Sequence, residues 1–307
     1  MRQNTRFFTH DSVISALFIL GNAVIILPTG NANEFTFLGY LAAAVLGFLL
    51  YLIILPAAKR LFCENAATGK SKFLKAGLCL VYTFTAIISL WCAADAFGDF
   101  ISFINKVILP DTPIFFTAAI FTAVVAFFAT RRQEDILKFF LIAFWFVLAI
   151  ILFFFVATSF KFNLRNIFVF ELPKMKTLIS QAKPYFLNPL IPALLLPVYN
   201  VLTFKNVRSG AAFTGLASGL ILLGLCIIGS ILLFGAPLAG RLPYPYSSAI
   251  STVSIGRLFS RLDGFSYFIY FACALAKITV CLFVMFSSLK RIRNILQKNG
   301  KSLNSTE

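Results

Sequence analysis

The stretch FSYFIYFACALAKITVCLFVMF, residues 265–286, decides the class of protein to which this chain belongs. It is apolar along its whole length except for one charged residue, Lys277. A helix needs about 20 apolar residues to cross a bilayer, so this stretch predicts a transmembrane helix. A Lys in the hydrocarbon layer costs about 2.5–3.5 kcal/mol, and such residues therefore face a bundle interior or a cavity. Lys277 is thus the first candidate for a functional residue.

The composition of the whole chain agrees with a membrane location. Hydrophobic residues make up 60% of its 307 residues, charged residues make up 12%, and the mean hydropathy is +0.90. Soluble domains are about half apolar and a quarter charged. The net charge of +16 does not indicate nucleic-acid binding, because the basic residues lie between apolar runs and not along one face. We expect a single transmembrane domain, residues 1–307, that has the lipid bilayer as its partner.

The distribution of basic residues predicts the orientation in the membrane. If the N-terminus is cytoplasmic, 17 of the 27 Lys and Arg residues lie on the inner side. The positive-inside rule then predicts cytoplasmic N- and C-termini, with the loops 161–183 and 236–262 outside. Eight apolar runs are long enough to cross a bilayer. These predicted spans cover residues 12–29, 36–56, 73–98, 111–130, 136–160, 185–204, 208–234 and 264–288.

Two predicted spans contain residues that disfavour a continuous helix. Gly21 and Asn22 lie near the middle of span 1, where Gly lowers helix propensity and Asn competes for backbone hydrogen bonds. Span 6 contains Pro189, Pro192 and Pro197, and each interior Pro costs about 3 kcal/mol in a helix. A broken helix survives at membrane depth only where it lines a cavity or is buried in protein. The alternatives are a close helix contact at Gly21 with Asn22 bonded across an interface, and a kinked scaffold helix in span 6.

The sequence predicts neither an enzyme nor a cofactor or metal protein. It contains no Ser/His/Asp set, no cluster with metal-ligand spacing and no phosphate-binding Gly loop. The six Cys residues show no paired spacing that would predict a disulfide framework. Asp95 and Asp99 lie four residues apart near the predicted outer end of span 3. Two such carboxylates could bind a cation, but they more often cap a helix end in the headgroup region.

Several short motifs, in this order and spacing, resemble the endospore germination permeases. These proteins are the B subunits of spore germinant receptors and belong to the amino acid–polyamine–organocation superfamily. The resemblance extends from about residue 12 to residue 286. It is carried by Gly21 with Leu27-Pro28, Phe97-Gly98-Asp99-Phe100-Ile101, Leu109-Pro110-Asp111-Thr112-Pro113, Tyr244-Pro245, Ile255-Gly256, Arg261-Leu262-Asp263 and Lys277-Ile278.

The resemblance implies a leucine-transporter-like fold, in which two five-span repeats have inverted orientations. The sequence turns polar after Phe286, so we expect an all-α integral membrane bundle of eight spans that lacks the last two of the usual ten. In this fold spans 1, 3, 6 and 8 surround a pocket near the middle of the bilayer. The candidate ligand-binding residues are therefore Gly21, Asn22, Tyr82, Ala193, Leu194 and Lys277.

The depths of Lys277 and Gly21 suggest how the pocket is held together. Lys277 lies about 16 Å from the inner end of span 8, and Gly21 lies about 14 Å from the inner end of span 1. We therefore predict that the Lys277 ammonium points toward backbone carbonyls around Gly21, as a tethered cation in place of sodium. Asp95 is predicted to lie near the outer surface, too shallow to be a good partner for Lys277.

The resemblance also implies a function and a set of partners. We expect a subunit that senses a small nutrient germinant, an amino acid or a sugar, together with A-type and C-type germinant receptor subunits. Its expected location is the spore inner membrane or the cell membrane. Two alternatives stay open: a sodium-independent amino-acid transporter that couples to protons through Lys277, and a scaffold subunit that binds no ligand.

Overall fold

The computed structural model describes residues 10–21, 24, 32–62, 72–166, 174–203, 209–252 and 263–303, and these contain helices and turns but no strand. Apolar segments form helices in lipid because every backbone polar group must be satisfied within the protein. The α-helices are α1 (His10–Leu20), α2 (Thr36–Leu61), α3 (Lys72–Phe103), α4 (Ile114–Thr130), α5 (Gln133–Ser159), α6 (Met175–Tyr185), α7 (Ile191–Ala193), α8 (Leu196–Thr203), α9 (Ser209–Phe234), α10 (Ala236–Ala239), α11 (Pro245–Ser251) and α12 (Asp263–Leu303).

The lengths of the apolar helices identify a multi-pass membrane protein. In the described part of the chain, six helical segments are long and apolar enough to cross a bilayer. Two further apolar helices, Asp11–Leu20 and Ile114–Thr130, are shorter. An apolar helix therefore occurs in each of the eight predicted spans, while eight complete crossings remain a prediction. The six longer segments are Thr36–Leu61, Lys75–Ile108, Gln133–Ser159, Met175–Thr203, Gly210–Phe234 and Gly264–Ile295.

Three helices extend beyond the predicted span boundaries. Helix α3 continues to Phe103 and then as a π-helix over Ile104–Ile108, ten residues past the predicted end at 98. Helix α6 begins at Met175, ten residues before the predicted start of span 6. Helix α12 continues to Leu303 instead of ending at 288. The predicted boundaries lie where the sequence becomes polar, but the polar residues beyond them are still helical.

Helices α1 and α9 are parallel and pack closely through small residues. A Cβ atom added at Gly215 would lie 2.6 Å from the Cα and O atoms of Ser12, and one at Gly219 would lie 3.0 Å from those of Ala16. Such distances leave no room for a side chain, so the glycines permit the contact. The Ser12 hydroxyl donates across the same interface to the Ala211 carbonyl at 2.7 Å.

Helix α2 packs in the same way against the helical segment that begins with α6. A Cβ atom added at Gly39 would lie 2.6 Å from Gln181 Cβ and 2.7 Å from its carbonyl carbon. Further along, Gly47 contacts the Leu190 side chain. The numbers rise together on both sides, so these helices are also parallel. The Thr36 hydroxyl donates to Gln181 Oε1 at 2.9 Å within this interface.

Helices α3 and α12 form an antiparallel pair. Aromatic rings join the C-terminal part of α3 to the N-terminal part of α12: the Phe103 ring centroid lies 4.4 Å from that of Tyr270, and the Phe100 centroid lies 6.0 Å from that of Phe271. The Phe103–Tyr270 pair is edge-to-face, and such a pair adds about 0.5–1.5 kcal/mol beyond burial. This pairing explains why α3 continues past its predicted end, and it places the middle of α12 inside the protein.

Candidate functional site

Lys277 lies in the interior of the bundle. It is 2% exposed, and its neighbours Ala276 and Ile278 are 0% and 3% exposed. This agrees with the prediction that it faces protein and not lipid. Helix α12 contacts α1, α3 and α5 along its length, so it is enclosed on several sides.

The Lys277 side chain packs against the C-terminal end of α1. Helix α1 ends at Leu20, directly before the predicted break at Gly21. A Cβ atom added at Gly21 would lie 2.7 Å from Lys277 Cδ and 2.8 Å from the Phe18 carbonyl oxygen. Gly21 therefore makes room for the lysine. The C-terminus of a helix carries partial negative charge, and a cation there is stabilised by about 0.3–1 kcal/mol, or up to about 2 kcal/mol when partly buried.

Helix α3 approaches Lys277 from another side with both thiol and carboxylate groups. Cys92 lies within electrostatic range of the ammonium, as do Asp95 and Asp99. The shallow depth predicted for Asp95 is therefore wrong, whereas its quality as a partner for Lys277 stays untested. Because α3 and its π-helical extension continue to Ile108, Asp95 lies 13 residues, or about 20 Å, before the end of that helix.

Two cysteines near Lys277 were not singled out in the sequence. Cys92 and Cys281 are both 0% exposed, and both lie within electrostatic range of the lysine. Cys281 follows Lys277 by four residues, a spacing that places the two side chains on one face of a helix. That spacing was the available signal for Cys281. The position of Cys92 near Lys277 could not be predicted, because no local sequence pattern indicates that α3 pairs with α12.

Ala193 and Leu194 lie at the interruption of the Pro-rich segment. A π-helix covers Phe186–Leu190, α7 has three residues, and α8 begins only at Leu196. Leu194 N–H donates to the Ile191 carbonyl at 3.1 Å, which is the tighter pattern of a turn. Pro197 has no N–H to offer to the Ala193 carbonyl, so that carbonyl loses its helical partner. The prediction that this segment is not one straight helix is confirmed, and α7 brings it against α1.

Of the remaining two candidates, Tyr82 does not join this group. The Tyr82 hydroxyl donates to the Leu61 carbonyl at 2.9 Å, and its ring lies 5.0 Å from that of Phe62. It precedes Cys92 by ten residues of α3, which corresponds to about 15 Å. Tyr82 therefore holds α3 to the end of α2, at a different depth from Lys277. Asn22 lies outside the described residues.

These features define a multi-pass helical membrane protein with an interior lysine that packs against Gly21, the residue directly after α1. Residues 9–304 match the family described as spore germination protein, the spore permeases. The match covers nearly the whole chain, and the protein belongs to this family of germination-related membrane permeases. The resemblance found in the sequence is thus confirmed, and the family is of transporter or receptor type and not an enzyme family. No similar curated protein and no similar solved structure was found.

Proposed function

We propose that the protein is the permease-like subunit of a spore germinant receptor and senses a small nutrient, an amino acid or a sugar. The observation that supports this most is the interior position of Lys277 against Gly21 at the end of α1. A buried charge is retained where it is compensated and useful, since an uncompensated one is strongly destabilising. The proposed ligand pocket lies between α1, α3, α7 and α12, with Gly21, Asn22, Ala193, Leu194 and Lys277 around it.

The helix pairing supports the leucine-transporter-like part of the proposal. If the segment Met175–Thr203 begins a second, inverted repeat, it corresponds to span 1, and α9 corresponds to α2. The inversion then exchanges the α1–α9 pair with the pair formed by α2 and the Pro-rich segment. Both pairs are parallel, and both are packed through glycines. The α3–α12 pair would be mapped onto itself, which is consistent with its antiparallel arrangement.

In this proposal Lys277 is a tethered cation that links α12 to α1. Its charge interacts with the C-terminal end of α1 and with Asp95 and Asp99 of α3. A ligand that binds beside the break in α1 would change these contacts, and the subunit would report the change to A-type and C-type receptor subunits. The proposed location is the spore inner membrane, with both termini cytoplasmic.

Ligand binding by the purified protein tests this proposal. Candidate amino acids and sugars are screened by thermal stabilisation of the wild type, Lys277→Met and the control Lys138→Met. Lys138 is exposed, so its replacement removes a charge without entering the bundle. We expect Lys277→Met to weaken binding at least tenfold, because one charge-assisted contact is worth about 1.5–3 kcal/mol. An unchanged ligand response and pH dependence in Lys277→Met would contradict the tethered-cation role.

Uptake into proteoliposomes separates the sensor from the two alternatives. Ligand binding without flux supports the sensor, whereas accumulation of the bound solute favours a sodium-independent transporter. Failure to bind any candidate nutrient, alone or with partner subunits, favours the scaffold.

A further inference from the structure

The last part of α12 presents exposed apolar and basic side chains on one face. Phe286 and Leu289 are 58% and 47% exposed, and Lys290 and Arg293, which follow them, are also exposed. Residues three and four apart lie on the same face of a helix, so these four side chains form one continuous surface. We call this surface the end face of α12. Along the helix its apolar part comes first and its positive charge follows.

The end face lies where α12 changes from apolar to basic. The stretch 265–286 has Lys277 as its sole charged residue, whereas residues 287–303 contain five basic residues and no acidic one. A stretch of about 20 apolar residues crosses the hydrocarbon core of a bilayer. If 265–286 does so, Phe286 lies at the depth of the acyl chains, and the long side chains of Lys290 and Arg293 reach the headgroups.

Helix α3 packs beside α12 as far as this end. The Phe103–Tyr270 ring pair fixes the register of the two antiparallel helices. Leu78 lies 25 residues before Phe103, and Ile295 lies 25 residues after Tyr270, which is about seven turns on each helix. Both are buried, as expected for residues that face each other across the pair. The first turns of α3 therefore lie level with the last turns of α12.

The end of α2 lies at the same level. The Tyr82 hydroxyl, one turn after Leu78, donates to the Leu61 carbonyl at 2.9 Å, so the last turn of α2 packs beside the first turns of α3. Arg60, in that last turn, is exposed. This end of the bundle therefore carries basic residues from three helices, which are Lys59 and Arg60 of α2, Lys75 of α3, and Lys290, Arg291 and Arg293 of α12.

The charge at this end is of one sign along all three helices. The stretches 36–62, 72–94 and 264–306 contain no Asp or Glu. Lys and Arg form their strong charge-assisted hydrogen bonds with carboxylate and phosphate oxygens, so the complementary partner is an anion. We propose that the end face of α12 binds an anionic phospholipid, with the phosphate of its headgroup on Lys290 and Arg293 and an acyl chain along Phe286 and Leu289.

The exposed apolar part of the end face favours a lipid over a soluble anion. A free phosphate or an acidic peptide could pair with Lys290 and Arg293, but it would leave Phe286 and Leu289 uncovered. A phospholipid has the same order of groups as the end face, an apolar chain followed by a charged headgroup. Clusters of Lys and Arg directly beside a transmembrane helix attract anionic lipids in this way. The proposal depends neither on a nutrient nor on which side of the membrane this end faces.

Native mass spectrometry of the purified full-length protein tests the proposal. Protein in a neutral detergent is titrated with dioleoylphosphatidylglycerol, which is anionic, or with dioleoylphosphatidylcholine, which is zwitterionic. A basic residue near an anionic surface contributes about fivefold in affinity, so we expect the wild type to bind the anionic lipid at least tenfold more tightly. Lys290→Gln/Arg293→Gln should lose this preference. The control Lys106→Gln/Lys176→Gln removes the same charge from two exposed lysines outside the end face and should keep it.

Three results would overturn the proposal. The first is equal affinity of the wild type for the two lipids, which decides the matter even if the double variant does not fold. The second is an unchanged preference in Lys290→Gln/Arg293→Gln, which would mean that these charges only orient the chain in the membrane. The third is displacement of the anionic lipid by an equal concentration of glycerophosphoglycerol, its headgroup without acyl chains, or of an oligoglutamate peptide. None of these measurements uses a nutrient, so failure here leaves the sensor proposal standing.

Discussion

Replacement of Gly215 by Ala should push α9 away from α1. The added Cβ would lie 2.6 Å from the Ser12 Cα and O atoms and 2.8 Å from Ser15 Cβ. Carbon atoms pack at about 3.5–4.0 Å, so α1 and α9 must move apart by roughly 0.9 Å or more. Two of the three contacts are with backbone, which cannot change rotamer to make room.

The magnitude follows from two opposing terms. Overpacking costs about 1–3 kcal/mol, and contact with backbone atoms favours the upper end of that range. Ala is a better helix former than Gly by about 0.8–1.0 kcal/mol, which offsets part of the cost. The expected net destabilisation is therefore about 2 kcal/mol. This corresponds to a fall in melting temperature of about 4 °C or more.

Gly210→Ala is the matched control on the same helix. A Cβ atom added at Gly210 would meet nothing within 4 Å, so only the gain in helix propensity applies there. Thermal unfolding of both variants in one detergent should give changes of opposite sign. Equal melting temperatures for Gly215→Ala and Gly210→Ala would refute the close α1–α9 contact.

Two further predictions concern a buried hydrogen bond and the topology. Thr36→Val removes a hydroxyl that lies 2.9 Å from Gln181 Oε1 and 2.6 Å from the Asn33 carbonyl oxygen. The loss of these contacts beside the buried Gln181 amide should lower the stability by about 1–3 kcal/mol in thermal unfolding. The positive-inside rule places Lys298 on the cytoplasmic side. A cysteine at this position should therefore react with a membrane-impermeant maleimide only after right-side-out vesicles are permeabilised.

Each of these two experiments has a control within the chain. Thr122 is exposed and donates to a carbonyl of its own helix, so Thr122→Val should change stability by less than about 0.5 kcal/mol. Lys174 is exposed and belongs to the predicted external loop, so a cysteine there should react in intact vesicles. Reaction of the Lys298 cysteine in intact vesicles would overturn the predicted orientation. Equal stability of the Thr36→Val and Thr122→Val variants would contradict the bond to Gln181.

The sequence predicts the helical membrane fold well because the signal is repeated along the chain. Apolar runs report lipid burial directly, and the structure has an apolar helix in each predicted span. The proximity of Gly21 and Lys277 was also accessible, because residue counting gives them similar depths and the fold that the resemblance implies brings spans 1 and 8 together. Residue counting fails where a boundary is misplaced, and the error in the depth of Asp95 came from ending span 3 at residue 98 when the helix continues to 108.

The contacts that fix Tyr82 and the start of span 6 were beyond the reach of the sequence. Tyr82 was placed at mid-depth from its position in span 3, but its position is fixed by the end of α2 through the Leu61 carbonyl. The start of span 6 was misplaced because Lys176 and Lys183 suggested a loop. The structure shows an amphipathic helix that exposes these lysines and buries Gln181 and Tyr185. An amphipathic pattern predicts a helix with one exposed face. It does not predict which other helix packs against the buried face.

Helix α12 runs without interruption from Asp263 to Leu303 and passes Lys277 on the way. Its C-terminal end lies 26 residues beyond the lysine, or about 39 Å at 1.5 Å per residue. For a rigid rod of that length, a rotation of about 5° at Lys277 displaces the far end by roughly 3 Å. The basic turns around Lys290, Arg291 and Arg293 travel with it. If Lys277 responds to a ligand as proposed, α12 would act as a lever whose short arm lies in the bundle, and a small rotation at the lysine would become a larger displacement at the far end of the helix.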